Sequence, residues 1–254
     1  MVYTQGQHCI ISPEVKIEDG VEIGHFVTIK AGAEIGTGCI IANNVTVHSG
    51  TKIGKNVRID DNVVIGKRPM KALTSATTTQ NQELAGAIID DSCLIGTNAV
   101  IYAGSKIGSD CLIADFAEIR EDVTIGDKTI VGCKVVFENK VTIGERCKIQ
   151  TGVHLVPYTK VGNRVFLAPQ VHTANDNYLG RTEERRKHYR GPIIEDGVRV
   201  GLAANLLPNV VIGKDAVIGA GSVVTKDVPA RKVAYGCPAK IIRDVPEEEL
   251  IENQ

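Results

Sequence analysis

The sequence predicts an all-β parallel solenoid, and three observations lead to this fold class. Small or β-branched residues recur every six positions along most of the 254 residues. Glycine is abundant, with 26 residues, whereas aromatic residues make up 4% of the chain and Trp is absent. Ile and Val dominate the apolar residues, as in short strands that stack on a narrow core with frequent tight turns.

The six-residue repeat defines one side of a coil. From Cys9 the chain reads CIISPE, VKIEDG, VEIGHF and VTIKAG, with Ile or Val third and often Gly fourth. The first and third residues point to one side of a strand, so we expect them inside. We expect the fourth residue to turn the chain by about 120°, since Gly tolerates unusual backbone angles. Three strands then close a triangular coil, and about ten coils stacked at about 4.8 Å make a prism about 48 Å long.

Two interruptions of the repeat divide an otherwise single domain, 1–254. The repeat breaks near 69–86 and resumes in the same register by Ala87; it breaks again near 177–191 and returns from about Pro192. A tail near 229–254 follows the last coil, and we expect a short helix after Pro246. Loops that leave a regular solenoid commonly carry its function.

The charge balance argues against nucleic acid or an anionic membrane as a partner, because 29 basic and 30 acidic residues give a net charge of −1. No apolar stretch approaches the roughly 18 residues that span a bilayer, and no secretory signal is recognisable at the N-terminus. The seven cysteines contain no CxxC pair. Five of them occupy the first repeat position and are interpreted as small buried hydrophobes in a reduced, cytoplasmic protein: Cys9, Cys39, Cys93, Cys111 and Cys147.

The two excursions contain the first candidate substrate contacts. Lys67 and Arg68 precede the first excursion and are interpreted as anion binders for a phosphate-bearing substrate. In the second, Asn177 and Arg181 are candidate substrate contacts, and Glu138 in the prism is a further candidate. A loop of this length over a rigid prism commonly forms the wall of a binding site. Solvated surface loops are the alternative for both excursions.

Residues eighteen apart lie above one another, which places polar residues in two columns. One column contains Glu121, Asn139, Pro157 and Asn175, just below the second excursion. The other contains His154 and His172, at the outward second position of the repeat. These columns are candidates for chemistry, and a solvated ladder is the alternative.

The last coils resemble the coenzyme A segment of the hexapeptide-repeat acyltransferases. The resemblance rests on VGLAAN from Val200, IGAGSVVTKDVP from Ile218 and YGCPAK from Tyr235. It implies a left-handed β-helix and an acyl-coenzyme A co-substrate, with Cys237 in place of the usual Asn and Leu206-Leu207 in place of the usual small pair. The residues that it implies for coenzyme A are Ala203, Ala204, Gly219, Ala220, Gly221, Lys226, Arg231, Pro238 and Lys240.

Earlier segments resemble one branch of that superfamily, the nucleotide-linked amino-sugar N-acyltransferases. They are KIQ at Lys148, VFLAP at Val165 and AND at Ala174. The resemblance implies acetyl transfer to the amino group of a UDP- or dTDP-linked sugar for lipopolysaccharide or S-layer glycans, in a homotrimer with sites between subunits. Asn175 would lie near the sugar amine.

For catalysis we expect Asn175 to orient the amine, with Asn139 or Glu121 assisting and His154 or His172 as reserve general bases. Two other functions stay open: a non-catalytic scaffold, and a zinc carbonic anhydrase of the same fold, which needs three His residues from two adjacent prisms. No metal ligands are assigned. A lipid A or serine acetyltransferase is less favoured, because the sequence shows neither of their helical domains.

Overall fold

The computed structural model describes residues 3–71 and 83–253, which form a parallel solenoid with three flat faces. Each face is one sheet, and these are called sheets A, B and C; they contain 13, 11 and 10 strands. The solenoid is therefore slightly longer than the ten coils predicted. Nearly all strands have two residues, because every hexad spends its other four residues on a corner.

Sheet A contains β1 (Thr4–Gln5), β4 (Glu22–Ile23), β7 (Ile40–Ile41), β10 (Arg58–Ile59), β13 (Leu94–Ile95), β16 (Leu112–Ile113), β19 (Ile130–Val131), β22 (Lys148–Ile149), β25 (Phe166–Leu167), β28 (Arg199–Val200), β31 (Val217–Ile218), β33 (Lys232–Gly236) and β34 (Ala239–Asp244). Sheet B contains β2 (Ile10–Ile11), β5 (Thr28–Ile29), β8 (Thr46–Val47), β11 (Val64–Lys67), β14 (Val100–Tyr102), β17 (Glu118–Ile119), β20 (Val136–Phe137), β23 (His154–Leu155), β26 (His172–Thr173), β29 (Asn205–Leu206) and β32 (Val223–Val224). Sheet C contains β3 (Lys16–Ile17), β6 (Glu34–Ile35), β9 (Lys52–Ile53), β12 (Ile88–Ile89), β15 (Lys106–Ile107), β18 (Thr124–Ile125), β21 (Thr142–Ile143), β24 (Lys160–Val161), β27 (Ile193–Ile194) and β30 (Val211–Ile212).

The strand register confirms the eighteen-residue coil and its continuity across both excursions. Within sheet B, for example, Phe137 pairs with Leu155, eighteen residues later. Lys52 pairs with Ile88 across the first excursion, and Lys160 pairs with Ile193 across the second. The extra residues therefore leave the prism without shifting its pattern, in agreement with the predicted β-helix.

The first and third repeat positions form one continuous core, as predicted. Ile29, Ile119 and Phe137 are no more than 1% exposed. Four of the five repeat cysteines are buried and Cys9 is half-buried. Burial raises the pKa of the Cys147 thiol to about 11, so this thiol stays protonated and packs as a small apolar group.

The expectation that the fourth-position glycine makes the turn is wrong. Left-handed backbone angles occur at the sixth position, as at Phe26 (φ 58°) and Asn44 (φ 57°). The glycine is required for a different reason. A Cβ on Gly36 would lie 2.5 Å from the carbonyl oxygen of Gly54 in the next coil. At fourth-position glycines such as Gly36, neighbouring coils therefore approach too closely for a side chain.

The tail adds an antiparallel hairpin that the repeat pattern does not predict. Strand β33 continues sheet A, and β34 folds back on it with Val233 opposite Arg243. The predicted short C-terminal helix is present as two 3₁₀ turns, Glu247–Glu249 and Ile251–Asn253. A further 3₁₀ helix, Glu183–Lys187, lies in the second excursion. None of the described helices is long and apolar enough to cross a membrane.

Candidate functional site

The corner after sheet B differs chemically from the other two corners of the prism. After most strands of sheets A and C the fourth residue is Gly or Ala, whereas after sheet B it is often large or charged. On this side the side chains of Tyr102, Arg120, Glu121, Glu138, His154 and His172 form a group called here the polar strip. Sequence reasoning missed Tyr102 and Arg120. The missing fourth-position glycine in every third hexad is a signal that could have found them.

Arg120 lies at the centre of the polar strip. Its Nε donates to Glu121 Oε2 at 3.0 Å, and its Nη1 lies 3.8 Å from Glu138 Oε2. Its guanidinium lies 5.0 Å from the centre of the Tyr102 ring, and the Lys67 ammonium lies 5.1 Å from the same ring. Although burial opposes the charge, Glu121 and Glu138 raise the pKa of Arg120 above its ordinary value. Arg120 is therefore a fixed cation that compensates the buried carboxylate of Glu121.

Glu138 joins Arg120 to the histidines. His154 Nε2 lies 3.4 Å from Glu138 Oε1, and the His154 and His172 rings meet edge to face with centroids 6.3 Å apart. The contact with His154 lowers the pKa of Glu138, which burial opposes and Arg120 reinforces. The contact is within ion-pair distance, although Nε2 of His154 is buried and makes no hydrogen bond in the described structure. A carboxylate that faces one imidazole nitrogen can orient the ring and leave the other nitrogen to accept a proton.

The predicted column beside the histidines is in register, but its members differ in exposure. Glu121 and Asn139 are each only 1% exposed, so they lie beneath the surface of the strip. Asn175 is half-buried at the start of the second excursion. Of these three residues, only Asn175 is accessible to a ligand at the surface. The catalytic roles of all three stay predictions.

Asp176 anchors the second excursion to the prism. Its carboxylate accepts the backbone N–H groups of Tyr178 and Gly180, at 2.8 and 3.0 Å, and lies 3.3 Å from Arg185 Nη1. Although desolvation acts in the opposite direction, these three contacts hold the pKa of Asp176 below its usual value. The side chains of Tyr178 and His188 stack at 5.8 Å.

The anchored excursion encloses a cavity next to the polar strip. The cavity has a volume of about 300 Å³ and is lined by Asn177, Tyr178, His188, Arg190, Pro208 and Asn209. Asn177, a predicted substrate contact, is thus a cavity residue, whereas Arg181 is exposed outside this lining. At the first excursion, Lys67 is half-buried and Arg68 is exposed; residues 72–82 lie outside the described part of the chain.

The small residues predicted for coenzyme A lie at the last corners after sheet A. Ala203, Ala220 and Gly221 are exposed there, and a Cβ on Gly221 would meet nothing within 4 Å. The backbone N–H groups of Leu202 and Ala220 have no hydrogen-bond partner within the described ranges. This open backbone fits the amide-rich arm of coenzyme A. Ala204 differs, since it is fully buried and points into the core.

The remaining predicted coenzyme A residues do not come together on one surface of a single chain. Lys226 is exposed at the corner after sheet B. Arg231 is already paired with Glu252, at 2.9 Å. Pro238 and Lys240 belong to the hairpin, whose Gly236 N–H donates to Ser222 Oγ beside the sheet A corner.

A protein-family comparison identifies the repeat. The family described as bacterial transferase hexapeptide (six repeats) matches residues 14–49, 86–121, 104–139 and 191–226. The chain belongs to the hexapeptide-repeat transferase family. Its matched segments lie before the first excursion, between the two excursions and after the second.

Curated relatives match this hexapeptide-repeat protein over short segments. The bifunctional protein GlmU of Rubrobacter xylanophilus is 46% identical over 74 residues, which cover 29% of this chain and 14% of that protein. The galactoside O-acetyltransferase of Lactococcus lactis is 39% identical over 93 residues, which cover 35% of this chain and 45% of the relative. The chain thus spans less than half the length of these two relatives.

A solved structure matches over nearly the whole prism. The Arabidopsis UDP-N-acetylglucosamine acyltransferase gives a TM-score of 0.59 with 23% identity, over 96% of this chain and 75% of that one. At this identity the likeness concerns the fold. Within residues 3–71 and 83–253, no group of three or more His, Cys, Asp or Glu side chains could hold a metal ion.

Proposed function

We propose that this protein transfers an acyl group from coenzyme A to the amino group of a nucleotide-linked amino sugar at the polar strip. The contact between Glu138 and His154, with Arg120 behind it, carries the proposal. The named acetyltransferase relatives and the open Gly-Ala backbone of the last coils support it. The nucleotide is UDP or dTDP, by resemblance of the KIQ, VFLAP and AND segments.

In this reaction the amine nitrogen bonds to the acyl carbon as the carbon–sulfur bond breaks. His154 receives the proton that the amine loses, and Glu138 stabilises the imidazolium that results. Asn175 orients the amine from the edge of the second excursion. The stacked side chains of Tyr178 and His188 line the cavity formed by the second excursion.

The polar strip and the open Gly-Ala corner lie on different edges of one prism. We therefore propose a parallel homotrimer, in which the sheet A corner of one copy supplies coenzyme A to the polar strip of the next. Such an interface is consistent with closed cyclic symmetry. We also propose a cytoplasmic setting, where the thiols stay reduced.

A second candidate is acyl transfer to a hydroxyl group, and the same Glu138–His154 contact favours it. A hydroxyl is a poor nucleophile unless a general base removes its proton, whereas a neutral amine attacks without one. The Lactococcus lactis relative is named a galactoside O-acetyltransferase. The two candidates differ in the acceptor atom and share the histidine.

A thiol-release assay tests both candidates. Acetyl-coenzyme A is combined with matched pairs of UDP- and dTDP-sugars that carry either an amino or a hydroxyl group at the same carbon. We expect release with an amino sugar and much slower release with its hydroxyl partner. Faster release with the hydroxyl sugar would replace the first candidate by the second, and no release with any acceptor would favour a scaffold.

Two variants test the residue roles in that assay. We expect lower kcat for Asn175→Ala and for His172→Ala, since the first loses the orienting amide and the second loses the ring that packs against His154. Unchanged kcat in both would overturn the roles proposed for Asn175 and His172.

A further inference from the structure

Four basic side chains gather on the outer face of sheet B where the first excursion leaves the prism. Lys30, His48 and Lys67 follow or end the adjacent strands β5, β8 and β11, and Arg68 comes next. Lys30 Nζ lies 3.1 Å from His48 Nδ1. This group is called the basic cluster.

The basic cluster has no acidic counterpart in the described structure. No carboxylate of residues 3–71 or 83–253 forms an ion pair with Lys30, Lys67 or Arg68. By sequence, the excursion itself contains one acidic residue, Glu83, and adds a further cation, Lys71. Clustered positive charges repel one another, and a bound anion would relieve this repulsion.

The electrostatics of His48 show how close the cations are. Burial lowers the pKa of His48, and Lys30, Lys67 and Arg68 lower it further. The imidazole is thus held neutral by its neighbours, so its Nδ1 accepts from Lys30. Lys30 and Arg68 are exposed and can turn their donors towards a ligand.

We propose that the basic cluster is a phosphate-binding site, built by Lys30, His48, Lys67 and Arg68. A phosphate group suits it because several donors converge on one small face and a dianion neutralises two of the three permanent cations. The guanidinium of Arg68 can bind two phosphate oxygens at once, while the lysines act as point charges.

The site lies apart from the proposed acyl-transfer centre. Strands β11 and β23 are four strand spacings apart in sheet B. The backbones of Lys67 and His154 are therefore separated by about 19 Å along the prism axis. The phosphate can therefore come from the far end of an extended nucleotide acceptor, which rests on the function proposed above, or from a separate phosphate-bearing molecule. Both sources share the recognition chemistry.

Binding by isothermal titration calorimetry tests the site without turnover. Inorganic phosphate, UDP and uridine are titrated into the full-length protein, into the Lys30→Gln/Arg68→Gln double variant and into Lys106→Gln. Lys106 is an exposed lysine on sheet C, so its variant is a control for a lost surface charge. Because both substituted side chains are exposed, the double variant should keep its fold, which circular dichroism checks.

We expect saturable binding of phosphate and UDP, no binding of uridine, and at least about tenfold weaker binding by the double variant, since it loses two charged hydrogen-bond donors. Lys106→Gln should bind like the wild type. UDP binding tighter than phosphate, with competition against the acceptor in the thiol-release assay, assigns the site to the acceptor nucleotide. Equal affinities without competition assign it to a separate anion.

Absence of saturable phosphate binding, or equal binding by the double variant, would overturn the site. Neither result depends on acyl transfer. Conversely, a protein that binds phosphate and releases no thiol keeps the site and loses the proposed function.

Discussion

The corners after sheets A and C hold the prism together, whereas the corner after sheet B carries the polar strip, where we propose the chemistry. At many corners after sheets A and C, an Asn or Asp side chain in the fifth repeat position accepts a hydrogen bond. The donor is the backbone N–H of the fifth residue one coil earlier. His25 donates to Asn43 at 2.8 Å, Lys55 to Asp91 at 2.7 Å and Thr97 to Asp115 at 2.9 Å. After sheet B the residues at the same position, Glu121 and Asn139, are buried at the polar strip. One repeat thus serves two purposes, according to the corner on which it falls.

The largest expected effect is on the chemical corner. His154→Ala should lower kcat by about 10²- to 10⁴-fold in the thiol-release assay, because the proton acceptor is lost. The free energy of unfolding should change little, since the side chain is half-exposed. His25→Ala, at a sheet A corner, is the control and should retain full activity. Wild-type activity in His154→Ala would contradict the proposed role of His154 as the general base.

A structural corner should respond in stability rather than in rate. Gly36→Ala should lower the free energy of unfolding by about 2–3 kcal/mol, because its Cβ meets the Gly54 backbone, which cannot move aside. Denaturant titration measures this. Gly20→Asn is the matched control at a sixth position: φ is +73°, the nearest atoms are 3.9 Å away, and Asn tolerates the left-handed region. Equal losses in both variants would contradict the separation of the two glycine roles.

The ladder of side-chain acceptors should give a smaller effect. Asp91→Ala removes the acceptor of the Lys55 N–H group, and we expect a loss of about 1 kcal/mol in the free energy of unfolding. Thr151→Ala changes an exposed fifth-position residue whose side chain makes no hydrogen bond in the described structure, and it should cost no more than about 0.5 kcal/mol. If the two variants have the same free energy of unfolding, the ladder of side-chain acceptors does not stabilise the stacking of the coils.

The smallest effect concerns pH. The folded pKa of Glu138 lies below its ordinary value of 4.5, so the ionised carboxylate adds stability above that value and loses it as pH falls through the folded pKa. Glu138→Gln removes this contribution. The difference in unfolding free energy between wild type and variant should therefore be constant at neutral pH and shrink below pH 4.5. A difference that persists unchanged into acid would show that Glu138 is not stabilised by His154 and Arg120.

Much of the fold followed from periodicity, and less of the candidate site did. Eighteen-residue spacing placed His154 below His172, as the strand pairing confirms. It did not reveal Arg120, because a charged residue in one variable position of one hexad is unremarkable by itself. Its contacts with Tyr102, Glu121 and Glu138 depend on side-chain directions on adjacent coils. The hairpin of β33 and β34 was also missed, since it lies beyond the last regular hexad.

The sequence by itself determined the solenoid, because the inward first and third positions can be buried in only one way when they repeat every six residues. It also determined where the coil is interrupted. The tertiary structure decided which glycines turn the chain and which admit a neighbouring coil, because both roles favour the same residue for different physical reasons. It likewise decided that Glu138, His154 and Arg120 lie together and that Lys30 and His48 lie near Lys67, because stacked coils bring side chains about eighteen residues apart within a few ångströms.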